Sequence, residues 1–164
     1  MKFERYGIGI AKSMAVTLKN LFRKPITVQY PEEKLTVSRR IRGTTLVWDK
    51  DACTACKLCA TACPQSCITI VTFRDESHKL RVDKLDFDGG LCSFCGLCVE
   101  ACPCEALFMG YSYEWATYRQ QDLMLSKEEL MLSERRRPSG YARPEVEATL
   151  PQQTLLLDRD KAKK

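Results

Sequence analysis

Ten cysteines stand in this chain of 164 residues, and eight of them form two runs of one pattern. Cys53, Cys56, Cys59, Cys63 and Pro64 recur 39 residues later as Cys92, Cys95, Cys98, Cys102 and Pro103. Clustered thiolates are soft ligands that take zinc or iron–sulfur clusters. The C-x2-C-x2-C part of each run offers three thiolates from one tight loop, which suits three corners of a cubane. The fourth cysteine, three residues on, points away down the helical piece that follows. Zinc sites accept C-x2-C pairs too, but they combine two separated knuckles instead of crowding three ligands on one loop. Two complete runs, each closed by a proline, therefore predict two [4Fe–4S] clusters.

Where two such clusters share this motif, the fourth cysteine of each run ligates the cluster of the other. Cluster one then takes Cys53, Cys56, Cys59 and Cys102. Cluster two takes Cys92, Cys95, Cys98 and Cys63. This crossing staples the two halves of the repeat together. Cys67 and Cys104 are left over. They are expected to pack as small apolar residues near the clusters, with back-up ligation as the sharper alternative. His78, the one histidine, lies in a polar stretch between the runs and is expected to be a solvated hairpin residue. Gly89, Gly90 and Gly96 lie beside cysteines, where they are expected to let backbone approach sulfur. No nucleophile, acid–base pair or phosphate loop accompanies the clusters, and no G-x-G-x-x-G follows a strand. Neither catalytic residues, nor an NAD or FAD site, nor a small-molecule substrate is expected here. The chain reads as a wire.

The elements that must position the cysteines repeat with them. Leu46 and Trp48 precede the first run as Leu85 and Phe87 precede the second, and Ile68 and Ile70 follow it as Leu107 and Met109 follow the other. Each unit reads as strand, cysteine loop, a few helical residues ending at Cys-Pro, and strand, because proline cannot continue a helix. The fold expected is α+β: a pseudo-twofold core over residues 46–110, with an N-terminal amphipathic helix and a C-terminal extended arm. At 100° per residue, Ile10, Ala11, Met14, Ala15, Leu18, Leu21 and Phe22 share one arc of a helix over residues 10–22, with Val16 the exception. Its apolar face fits a partner protein, its own core or a membrane interface. Tyr111, Tyr113, Trp115 and Tyr118 form an aromatic cluster expected to pack. Ser126-Lys127-Glu128-Glu129 has capping-box form and predicts a helix to about Arg135. Pro138, Gly140, Pro144 and Pro151 then break the pattern, and Leu155-Leu156-Leu157 is too short to form an element. This tail is expected to lie extended on a partner or to be disordered. The regions are 1–45, an amphipathic membrane-surface helix and connecting arm; 46–110, the cluster domain; and 111–164, a helix and extended tail.

Charge divides along the same lines. Residues 1–45 hold ten Lys/Arg against three Asp/Glu, residues 46–110 six against nine, and residues 111–164 ten against nine. A basic arm on an acidic core suits an anionic surface at one end and no nucleic-acid reader at the other. A secreted disulfide scaffold would need an export signal. Residues 6–15 are only weakly apolar, Lys12 interrupts them, and Arg39-Arg40 leads into Ile41, Arg42 and Gly43 instead of an apolar run. No stretch approaches the ~18 apolar residues of a membrane span.

With both runs in place, the core resembles two-cluster ferredoxins. Tyr30-Pro31-Glu32-Glu33, Arg40-Ile41-Arg42-Gly43, Cys56-Lys57-Leu58-Cys59 and Phe94-Cys95-Gly96-Leu97-Cys98-Val99-Glu100-Ala101-Cys102-Pro103 are narrower. With Tyr113-Glu114 and the Lys-Glu-Glu-Leu stretch, they resemble the two-[4Fe–4S] ferredoxin-like subunit of respiratory complex I, NADH:quinone oxidoreductase, of bacterial type. Diffusible ferredoxins lack the YPEE and R-x-R-G elements. The resemblance implies an electron-relay subunit in the peripheral arm, passing electrons towards the quinone-site cluster. It implies other subunits of the assembly, including the quinone-site subunits, as partners, and a peripheral place on the cytoplasmic face of the membrane. An energy-converting hydrogenase or a ferredoxin-fed relative would use an equivalent subunit. A diffusible ferredoxin predicts a shorter, acidic chain without the basic arm.

Overall fold

The computed structural model describes residues 7–23, 25, 27–133 and 136–154. The chain divides into two units, Thr36–Gln153 and a second that holds residues 1–35 with those from 154 onward. In the second unit, α1 (Ile8–Leu21) carries no buried residue. Ile10, Met14, Leu18, Leu21 and Phe22 are all exposed. Among the described residues no helix is long and apolar enough to cross a membrane.

In the larger unit the duplication becomes geometry. Strand β1 (Leu46–Trp48) pairs antiparallel with β4 (Leu107–Met109), so the first strand of one repeat meets the last strand of the other. Strand β2 (Ile68–Arg74) pairs antiparallel with β3 (Leu80–Asp88) in the complementary way. The registers match under the 39-residue shift. Leu46 faces Met109 as Leu85 faces Ile70, and Trp48 faces Leu107 as Phe87 faces Ile68. Single-turn helices α2 (Leu58–Thr61) and α3 (Leu97–Glu100) follow the cysteine loops and stop before Cys63-Pro64 and Cys102-Pro103. His78 lies exposed in the turn joining β2 to β3. Apolar side chains from both halves meet in one core, with Phe87, Leu46, Met109, Val47 and Val99 the large, fully buried members.

Past the core the structure departs from the sequence reading. Tyr111 donates its hydroxyl to the Val37 carbonyl and Trp115 packs against the core, whereas Tyr118 is fully exposed. β5 (Met124–Leu125) adds to the edge of β3. The capping box forms, with the Ser126 amide donating to the Glu129 carboxylate at 2.9 Å. Its helix α4 (Lys127–Leu130) is one turn long, ending as Met131 turns extended; Arg135 lies outside the described residues. Residues 136–154 are ordered against this chain's own core. The Tyr111 amide donates to the Arg137 carbonyl, the Ser139 amide to Met109 and the Gly140 amide to Arg39. Ser139 is fully buried. Helix α5 (Pro144–Thr149) starts on a proline, whose fixed φ suits the first turn. The segment returns to the core through backbone hydrogen bonds and polar side chains, which leave no apolar periodicity to read. Leu155, Leu156, Leu157 and the tail to Lys164 lie outside the described residues.

Candidate iron–sulfur site

Each cysteine loop turns through a left-handed backbone at matching positions. Ala55 and Phe94 have φ of 57° and 51°, Lys57 and Gly96 64° and 86°, and Ser66 and Glu105 52° each. Such turns aim consecutive amides inward, where they favour negative charge. The Ala55 amide donates to Cys53 Sγ at 3.5 Å, and the Phe94 amide to Cys92 Sγ at 3.4 Å. These are hydrogen bonds to the sulfurs that open each run.

Two apolar cavities lie behind the loops. One is lined by Cys53, Cys56, Cys59 and Cys102, with Cys104 beside them. The other is lined by Cys92, Cys95, Cys98 and Cys63, with Cys67. Every cavity thus draws three cysteines from one repeat and the fourth from the other. Leu46, Ile68 and Phe87 border both cavities.

Burial pushes the Cys59 thiol up to about 11 and the Cys98 thiol up to about 12, with neighbouring cysteines adding to both. Burial also raises Cys92 and Cys102. At Cys63 burial is outweighed: the Cys67 thiol and the amides of residues 65–67 hold it below its ordinary value. Thiols buried this way keep their protons until a cation arrives, and metal binding must displace them. Among the described residues, no three His, Cys, Asp or Glu side chains converge on a single-ion site. Four thiols spread around an apolar hollow, with amides aimed at sulfur, fit a multi-iron cluster better than a lone ion.

Residues outside the two cysteine runs support the second loop, and of these Tyr141 and Arg143 go unmarked in the sequence. Arg42, of the R-x-R-G element, donates from Nη1 to the Cys95 carbonyl at 3.1 Å and lies 5.5 Å from the Tyr141 ring centroid. Tyr141 donates its hydroxyl to Glu100 at 2.5 Å, and Arg143 donates to the Val99 carbonyl at 3.2 Å. The last two close over α3 and the second loop from the C-terminal segment. No apolar pattern marks these residues, although the R-x-R-G element did single out Arg42. Gly96 lines the second cavity beside its cysteines, and a Cβ there would meet the Tyr141 ring at 2.4 Å; one on Gly89 would meet the Trp115 ring at 2.4 Å.

Residues 52–106 match the family model described as a 4Fe-4S dicluster domain. NADH-quinone oxidoreductase subunit I 1 of Geobacter sulfurreducens is 42% identical over 125 residues, covering 74% of this chain and 95% of that one. The chain belongs to the NADH-quinone oxidoreductase subunit I family. Another subunit I, from Carboxydothermus hydrogenoformans, is 45% identical over 120 residues, covering 73% of this chain and 85% of its own. Subunit I 1 of Symbiobacterium thermophilum is 41% identical over 150 residues, covering 82% and 88%. Among solved structures, a chain of the membrane-bound sulfane sulfur reductase, an archaeal respiratory membrane complex, aligns with a TM-score of 0.51 at 32% identity. That alignment covers 66% of this chain and 56% of the other. As a subunit I protein with a dicluster domain, the chain is a non-catalytic iron–sulfur subunit for electron transfer and carries two [4Fe–4S] clusters.

Proposed function

We propose that this chain is the electron relay in the peripheral arm of a complex I-like NADH:quinone oxidoreductase, handing single electrons towards the quinone-site cluster. Cys53, Cys56, Cys59 and Cys102 hold cluster one, and Cys92, Cys95, Cys98 and Cys63 hold cluster two. The observation that carries the ligand sets is the pair of cavities, each lined by three cysteines of one repeat and one of the other. Bound there, the clusters supply reversible one-electron redox chemistry.

The chain's own residues do the rest. Leu46, Ile68 and Phe87 exclude water from the wall common to both cavities, and a dry wall lowers the reorganisation that accompanies a change of charge. The Ala55 and Phe94 amides stabilise charge on sulfur at fixed distance. The exposed apolar face of α1 supports docking against the quinone-site subunits at the cytoplasmic membrane surface, where its lysines can reach lipid phosphates. On this reading residues 1–45 anchor, residues 46–110 hold the clusters, and residues 111–154 cover them.

Cys63→Ala is the deciding variant. Low-temperature electron paramagnetic resonance on the reduced protein should lose the cluster of Cys92, Cys95 and Cys98 and keep the cluster of Cys53, Cys56 and Cys59. Loss of the latter alone would refute the crossed ligation. The likeness to the sulfane sulfur reductase chain favours a second reading, in which the same relay serves a ferredoxin-fed relative or an energy-converting hydrogenase. Identifying the input subunits that co-purify separates the two, and recovery as a lone soluble monomer would favour a diffusible carrier over both.

A further inference from the structure

Cys67 and Cys104 stand outside the duplication, since a 39-residue shift puts Ala106 and Gln65 in their places. Nevertheless both reach equivalent partners. Cys67 Sγ lies 3.2 Å from Cys63 Sγ, and Cys104 Sγ lies 3.6 Å from Cys102 Sγ. Cys63 and Cys102 are the crossing cysteines, and each extra thiol lines the cavity of the crossing cysteine it touches. A disulfide needs sulfurs about 2.05 Å apart, so these are contacts between separate thiols within hydrogen-bond reach.

Ligation fixes the direction of both contacts. A cysteine bound to iron is a thiolate without a proton, so the hydrogen between the sulfurs must come from the extra cysteine. Thr54 strengthens one donor, because its hydroxyl donates to Cys104 Sγ at 3.8 Å and polarises that thiol. At the other site Cys67 is only 5% exposed, so its bond acts in a drier medium. Hydrogen bonds to ligand sulfur favour the reduced, more negative state of a cluster and raise its potential.

We propose that Cys67 and Cys104 are S–H donors to the crossing ligands, each raising the reduction potential of its own cluster. This rests on the ligand sets proposed above. The contribution is larger at the second site, where the donor is buried, than at the first, where Cys104 is half-exposed. The two extra cysteines thus give two otherwise similar sites separate settings.

The test is a redox titration, followed by electron paramagnetic resonance, of the full-length chain with both clusters loaded. Cys67→Ala is expected to shift the second cluster's potential negative and leave the first unmoved, and Cys104→Ala to do the reverse by a smaller amount. Cys67→Ser retains a donor and should recover part of the shift, which a purely space-filling role would not produce. Both clusters present with unmoved or raised potentials would overturn the inference. So would loss of the second cluster in Cys67→Ala, which would make Cys67 a ligand. Failure of the unaltered chain to assemble two clusters on these eight cysteines would instead count against the ligand sets.

Discussion

Gly96 offers a quantitative test of how the C-terminal segment is fitted to the second cysteine loop. Its φ is 86°, and a Cβ there would lie 2.4 Å from Tyr141 Cε1 and 2.9 Å from both Cζ and Oη. The chain supplies its own control. Lys57 occupies the same place in the first repeat, is also left-handed at φ 64°, and carries a side chain. Left-handed backbone costs a non-glycine residue about 1–2 kcal/mol, and forcing a methyl into a packed ring adds about 1–3 kcal/mol. Gly96→Ala should therefore destabilise the protein by about 2–5 kcal/mol. For a chain of this length, that lowers the midpoint of thermal cluster loss by roughly 4–20 °C. Adding Tyr141→Ala removes the overlap but not the backbone strain, so the double variant should show a favourable coupling of about 1–3 kcal/mol. Lys57→Ala should move the midpoint little, since the native chain already bears the strain there. The assay is visible absorbance of the anaerobic, loaded protein during heating at one fixed scan rate. An unchanged midpoint for Gly96→Ala, or a double variant showing no coupling, would refute the idea that Tyr141 sets the fit.

Phe87, fully buried and bordering both cavities, should cost about 3–5 kcal/mol as Phe87→Ala. Both clusters should then lose iron to a chelator faster than in the parent protein, and faster loss from one cluster alone would contradict a common wall. The raised thiols predict a pH dependence. In the iron-free chain, Cys59 and Cys98 rise from 9.0 to about 11 and about 12, so the folded state favours their protonated forms. Their stabilisation is fully present below about pH 9 and fades as pH climbs towards 11–12. Chemical denaturation of the iron-free chain should show that fall. Cluster incorporation needs thiolates, so it should release protons into weak buffer and strengthen as pH rises between 6 and 9, roughly tenfold per unit for each proton released. Pairing of the extra cysteines with Cys63 and Cys102 is tested separately by the potential shifts of Cys67→Ala and Cys104→Ala.

How much could be read beforehand depended on whether a contact leaves a spacing behind. The repeat did: the cysteines, Leu46 with Leu85, and Trp48 with Phe87 return at 39 residues, and their strands pair in matching registers. Ser126 and Glu129 likewise announced a helix start, though not its length, because Met131 turns extended after a single turn. Tyr141, Arg42 and Arg143 are one-off contacts between distant segments, aimed at a carboxylate and backbone carbonyls. Nothing in local periodicity encodes them. The spacing places Gly96 beside its cysteines, where the second cavity has it, but not against Tyr141, an aromatic ring 45 positions away in sequence.

The Tyr141 contact has a consequence in time as well as space. The chain is synthesised from its N-terminus, so both cysteine runs leave the ribosome before the residue that covers the second loop has been added. The second pocket begins life open on that side and closes only when the C-terminal segment arrives to pack on α3. Iron and sulfide delivered to the growing chain would meet the second pocket without its Tyr141 cover, and delivered to the finished chain would meet it covered.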